Sequence, residues 1–236
     1  MNFNPEKKIN NLIYSIIIPI ICMLLTIIII SIININSNYF GLFLTIGQLV
    51  GTIILINLFK LTAHDLGLSY IKENMRIHLI GILLLVLITI IVNFALIGIT
   101  GLAKVNFDMF YYFIFYIIVS ITEELYFRGV LYHQLELWNQ NTALFGSSII
   151  FALFHIRGGL QNVFVNFFTG ISFGIIRFAS GMILLIIPYH FIFNFQSALF
   201  ISNESSDPII IITYIGLVTI FSSILFIMGK SKEKQS

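Results

Sequence analysis

The sequence predicts an all-α fold: a polytopic membrane helical bundle of about eight transmembrane helices. Three observations carry this reading. Of the 236 residues, 58% are hydrophobic and 9% charged, against about a quarter charged in a soluble domain. The mean hydropathy is +1.02. Apolar runs long enough to cross a bilayer recur from one end of the chain to the other, with short polar gaps between them.

The first span is read at 12–33. Its apolar run is too long for a signal-peptide core and lacks a small-residue cleavage site, so a retained helix is expected. The second span is 40–59, followed by a polar segment from Lys60 to Arg76, and the third is 78–100. The fourth begins near Met109 and runs through a pair of glutamates to about Glu136. The fifth (142–156) and sixth (161–178) are short enough for one to be partly re-entrant. The seventh is 181–201, the eighth 208–228, and Lys230, Lys232 and Lys234 form a basic tail. No glycine-rich linker divides the chain, which reads as a single membrane domain over 1–236. Within it, 12–100 reads as scaffold. The span 109–201, which holds the buried ionisable groups, reads as the working part.

The net charge of +2 makes nucleic acid an unexpected partner. Cys22 is the single cysteine, so neither an intrachain disulfide nor a cysteine metal cluster can form. An even span count puts both termini on one side. With the termini cytoplasmic, Lys7, Lys8, Lys60, Lys72, Arg76, Arg177 and the basic tail fall inside, and only Lys104 and Arg157 fall outside. Multi-pass placement in the cell membrane, with both termini cytoplasmic, follows from this asymmetry.

The chemistry concentrates in Thr122-Glu123-Glu124-Leu125-Tyr126-Phe127-Arg128-Gly129, directly after the apolar run Met109–Ile121. A charged side chain at the centre of a membrane helix costs roughly 2.5–3.5 kcal/mol on insertion scales. Arg128 follows Glu124 by four residues, so the two share a helix face and can pair. Glu123 lies about 100° away round the helix, which leaves it the freer carboxylate, with Glu124–Arg128 as its brace. A second reading stays open on this stretch alone: a helix end at the headgroups, with Glu and Arg merely solvated.

Two further polar sites lie in apolar sequence: Phe151-Ala152-Leu153-Phe154-His155 and His190-Phe191-Ile192-Phe193-Asn194. A single histidine in such a helix is more often hydrogen-bonded structure than a ligand. His190 and Asn194 face the same way, and an amide there can orient the imidazole. Counted along the helices at about 1.5 Å per residue, Glu123 and His155 lie about 20 Å from the inner surface and His190 about 13 Å. This common band favours one shared site. One free carboxylate, two histidines and an amide suit water activation. In one scheme the carboxylate is the general base and an amide or imidazole stabilises the oxyanion. In the other, Glu123, His155 and His190 hold a divalent metal such as zinc.

These three motifs, in this order on late spans, resemble the CAAX-protease and bacteriocin-processing family of intramembrane proteases, also called the Abi family. E-E-x-x-x-R is matched by Glu123, Glu124 and Arg128, F-x-x-x-H by Phe151 and His155, and H-x-x-x-N by His190 and Asn194. The resemblance covers Met109 to Phe200. It implies a helical bundle with a cavity and peptide-bond hydrolysis of a membrane-associated substrate, prenylated, acylated or simply hydrophobic. It also implies that Glu123 acts with His155, His190 and Asn194, supported by Glu124 and Arg128. The expected partners are the bilayer and a membrane-associated peptide or protein. The residues are compatible with a metal-free glutamate mechanism and with a divalent metal such as zinc. Two other functions stay open: a proton-coupled transporter, and a non-catalytic immunity protein of the same fold.

The expected orientation is checked by labelling single cysteines from each side of the membrane. Cytoplasmic labelling of both tails is predicted, and a C-terminal tail labelled from outside contradicts it.

Overall fold

The computed structural model describes residues 5–69, 75–96, 99–102 and 107–202, with the helical residues Gly216, Thr219, Ile220 and Ile224 further on. The rest of the expected eighth span, the basic tail, the Asn203–Asp207 loop, Lys72 and Lys104 lie outside the described residues.

The architecture is helical: α1 (Pro5–Ile33), α2 (Phe40–Phe59), α3 (Met75–Leu96), α4 (Phe107–Glu124), α5 (Tyr132–Glu136), α6 (Gln140–Phe154), α7 (Leu160–Ser180) and α8 (Ile186–Leu199). A π-helical segment, Leu125–Leu131, joins α4 to α5 without a break. The fourth expected helix is therefore continuous from Phe107 to Glu136, but changes its hydrogen-bond register immediately after the glutamate pair. At the ends of α3 and α8, β1 (Ile99–Leu102) and β2 (Phe200–Ser202) pair as a small antiparallel ribbon.

Among the described residues, three helices are long and apolar enough to cross a membrane: Glu6–Ile33, Ser37–Phe59 and Leu160–Ser180. That is fewer than the about eight spans expected from apolar runs. Most of the eighth expected span lies outside the described residues, and α6 has 15 residues, about 22 Å of helix, against a hydrocarbon core of roughly 30 Å. The apolar side chains of α1, including Leu24, Leu25 and Ile28, are about half exposed, as suits a surface facing lipid. The chain is a membrane protein.

Two helical hairpins set the frame, and both close through a glycine pair four residues apart. On α2, a Cβ at Gly47 would stand 2.4 Å from Thr26 Oγ1, and one at Gly51 would stand 2.7 Å from Pro19 Cα. On α7, Cβ atoms at Gly170 and Gly174 would stand 3.1 Å from Ser148 Cα and 2.5 Å from Leu144 Cδ1. In a membrane, where burial gives little drive for helix association, such small-residue seams let backbones approach.

Pro19 has a second consequence. It has no N–H to donate to the carbonyl of Ser15 four residues back. That carbonyl instead accepts the Tyr126 hydroxyl at 2.9 Å. Tyr126 is fully buried in the π segment, so α1 is tied to the segment that carries the polar motif.

The loop after α2 docks against the π segment. Leu66 is buried there, next to Gly129. Thr62 and Asp65 cap one another: Asp65 Oδ2 accepts the Thr62 amide at 2.8 Å and its hydroxyl at 2.7 Å. The amide hydrogen bond holds the Asp65 carboxyl below the ordinary carboxylate range. The α7–α8 turn packs on the same loop through Ile183 N–H to Gly67 O, 2.9 Å. This is why α8 begins at Ile186 rather than at 181: the intervening residues form the docking turn. Lys8 donates to Leu137 O at 2.6 Å.

Tyr126→Phe should lower stability by about 1–3 kcal/mol, because it strands the buried Ser15 carbonyl. In a Pro19→Ala background the new amide can take that carbonyl, and the penalty should shrink. Thermal unfolding of the four proteins in detergent checks this; an equal penalty in both backgrounds contradicts the pairing.

Candidate active site

The last turn of α4 brings two carboxylates into the bundle with different surroundings. Glu124 is fully buried. Its Oε1 accepts from Arg128 Nη1 at 3.3 Å and lies 2.7 Å from His190 Nδ1. Glu123 faces the other way and keeps 14% of its side chain exposed.

Arg128 is also fully buried. Its Nη2 donates to Gly170 O at 3.2 Å. The guanidinium lies over the Phe151 ring at 4.4 Å and the Phe173 ring at 5.1 Å. Such cation–π contacts are worth about 2 kcal/mol or more when desolvated. Phe151 belongs to a hydrophobic cluster that includes Leu55, Phe127 and Leu135. Phe173 belongs to another, with Leu85, Ile176 and Tyr189. Arg128 is thus the polar pin between two apolar clusters. It also accounts for a phenylalanine four residues before His155: the Phe151 ring carries the guanidinium, and the Phe151 carbonyl holds the imidazole.

Hydrogen-bond partners define the tautomer of both imidazoles. His155 Nδ1 lies 2.8 Å from Phe151 O. A carbonyl only accepts, so Nδ1 carries the proton. His190 Nδ1 meets a carboxylate oxygen already paired with Arg128, so it donates as well. In the neutral imidazoles the Nε2 lone pairs then face Glu123. His155 Nε2 stands 3.8 Å from Glu123 Oε1, and His190 Nε2 stands 3.6 Å from Glu123 Oε2. Sequence spacing assigns the orientation of His190 to Asn194. The structure gives His190 Nδ1 to Glu124 instead, an ionised acceptor that makes a stronger bond than an amide.

Glu123, His155 and Asn194 line one cavity of about 310 Å³. The structure therefore brings all six motif residues to one place: four around the cavity and its carboxylate, with Glu124 and Arg128 behind them. The opposite wall comes from the expected scaffold. Gly41, Leu44, Thr45 and Gln48 form one stripe of α2, joined by Met23 of α1.

The donor set suits a divalent ion in kind. Two imidazoles with Nδ1 held by outer acceptors and a bare Nε2 are oriented as metal ligands usually are, and Glu123 Oε2 is buried with no hydrogen-bond partner among the described residues. Ligands about 2.0–2.1 Å from a tetrahedral zinc stand about 3.4 Å apart, a few tenths less than the separations here. No three His, Cys, Asp or Glu side chains among the described residues form a closed metal group, so closure on an ion requires a small movement of Glu123 or the rings.

One charged residue outside the motifs also shapes the site. Arg177 of α7, only 8% exposed, donates from Nε to Arg128 O at 3.2 Å and from Nη2 to Asp65 O at 3.2 Å, and bonds Gly181 O through Nη1. A Cβ at Gly67, whose φ is +69°, would stand 2.7 Å from this guanidinium. Arg177 thereby fastens the π segment, the α2–α3 loop and the α7 terminus together. In the sequence it registers only as an inner positive charge. The available signal was its place one turn before Gly181, a helix-ending glycine whose carbonyl needs a donor.

Residues 105–196 match the family model described as Rce1-like, type II CAAX prenyl endopeptidase. This agrees with the family resemblance read from the motifs. A search of curated proteins gave no match.

Proposed function

From the Rce1-like domain that residues 105–196 carry, we propose that this chain is an intramembrane endopeptidase. It hydrolyses a peptide bond of a membrane-associated peptide or protein, with water activated at Glu123. The observation that carries the proposal is the convergence of two imidazole Nε2 atoms on one partly exposed carboxylate at 3.6 and 3.8 Å, on the wall of a cavity of about 310 Å³.

Each group has a role that follows from its surroundings. A water at the mouth of this cluster donates one hydrogen to Glu123, which takes the proton as the oxygen attacks the peptide carbon. His155 and His190 accept the water's second hydrogen and orient it. Glu123 then returns the proton to the leaving amine. The Asn194 amide, on the same cavity wall, donates to the oxyanion. Glu124 and Arg128 touch no substrate. They hold His190 in the tautomer that presents a bare Nε2. Glu123, His155 and His190 are also the residues that would hold a divalent ion, which, when bound, would supply a water of lowered pKa.

Glu123→Gln should abolish cleavage of a quenched apolar peptide while leaving the melting temperature unchanged, because it removes a proton acceptor that braces nothing. Glu124→Gln should lose both, since it deprives Arg128 of its counter-charge, and stranding one member of a buried pair typically costs about 3–5 kcal/mol. Asn194→Ala should reduce kcat about a hundredfold or more. The assay uses purified full-length protein in detergent or nanodiscs. Full cleavage by Glu123→Gln protein ends the proposal.

A further inference from the structure

The α2 wall of the cavity contains a group that neither the fold nor the motif chemistry uses. Gln48 is 5% exposed and lines the same cavity as Glu123, His155 and Asn194. Its Nε2 is buried and has no hydrogen-bond partner among the described residues. Gln48 lies outside the segment matched by the family.

Its aim is set by its neighbours. Gly47 and Gly51 press α2 onto α1 at Thr26 and Pro19. The next residue round the helix turns about 100° from that seam, and this puts Gln48 on the stripe that faces the cavity. Thr45, one turn earlier on that stripe, spends its hydroxyl proton on Gly41 O at 3.0 Å. Among the described residues of this wall, the Gln48 amide is therefore the side-chain hydrogen-bond donor that remains. The wall across from it presents acceptors: the Glu123 carboxylate and the imidazole lone pair of His155.

We propose that Gln48 Nε2 is a substrate-binding donor, taking a backbone carbonyl of an apolar peptide strand laid between α2 and α4. A buried amide donor is unfavourable until something pairs with it, and a peptide carbonyl is the acceptor that an apolar strand carries in every residue. Among the described residues, the remaining lining includes Leu44, Phe115, Val119, Phe127 and Phe154, with no Lys or Arg. The cavity thus suits peptide groups flanked by apolar side chains. This assignment rests on the hydrolase reading for its substrate class and adds a residue from outside the family segment.

The test uses full-length Glu123→Gln protein in nanodiscs, so that bound peptide stays intact. The probe is a dansylated, C-amidated apolar octapeptide, with a set of analogues in which one backbone carbonyl at a time is replaced by methylene. Fluorescence anisotropy gives each Kd with Gln48 present and with Gln48→Leu. One analogue should bind about five- to tenfold more weakly when Gln48 is present, the loss expected for one hydrogen bond. With Gln48→Leu the parent should weaken by the same factor, and that analogue should lose nothing further. The melting temperature of Gln48→Leu should match or exceed that of the parent, since an unpaired donor is removed. Unchanged parent affinity in Gln48→Leu, a lowered melting temperature, or no peptide binding at all overturns the proposal. Cleavage by the unsubstituted protein reports separately on the hydrolase reading. A peptide held through Gln48 but never cleaved defeats that reading alone. A peptide cleaved with the same KM after Gln48→Leu defeats the anchor alone.

Discussion

A buried guanidinium organises this protein. Arg128 has no exposure, and in an apolar bundle a charge in that position must be compensated on every side. Glu124 supplies the counter-charge, Gly170 O takes a second donor, and the rings of Phe151 and Phe173 take the flat faces. These partners sit on α4, α6 and α7. Glu124 passes the constraint on to α8 through His190 Nδ1. One ion pair thereby fixes the relative placement of four helices and the rotation of one imidazole. Glu123, next in the chain to that pair, is held rigidly at its backbone while its carboxylate stays available.

The π segment is the local device that makes this possible. A π turn admits one more residue than an α turn and is common at functional sites. Its neighbourhood is stitched from outside: Tyr126 bonds the carbonyl that Pro19 leaves open, and Arg177 bonds the Arg128 carbonyl. An irregular backbone at membrane depth needs such partners, because lipid offers none. Proline in α1 and arginine in α7 look unrelated in the sequence. In the structure both serve the same few residues of the fourth helix.

Much of this was legible in the sequence, and the gaps have physical causes. Helix positions such as 40–59 were readable because an apolar run bounded by polar residues fixes both ends. The pairing of Glu124 with Arg128 followed from their four-residue spacing. The convergence of His155 and His190 on Glu123 followed from comparable depth. The partner of His190 was not legible: Asn194 is close in sequence, while Glu124 is close only after α4 and α8 pack. The α2 wall was missed for a related reason. Gln48 looks like a scattered polar residue in a plain span until the Gly47 and Gly51 seam sets its rotation. The expected count of about eight exceeds the three described helices that meet length and hydropathy together: most of the eighth span lies outside the described residues, and α6, already short as an apolar run, has 15 residues.

The proposed chemistry depends on two neutral imidazoles that present bare Nε2 atoms to Glu123 while their Nδ1 atoms are committed elsewhere. Histidine side-chain ¹⁵N NMR of the full-length protein in nanodiscs tests this most directly. Resonances assigned by His155→Gln and His190→Gln should both show a protonated Nδ1 and an Nε2 without hydrogen. An Nε2–H tautomer at either residue would contradict the arrangement on which the proposed chemistry rests.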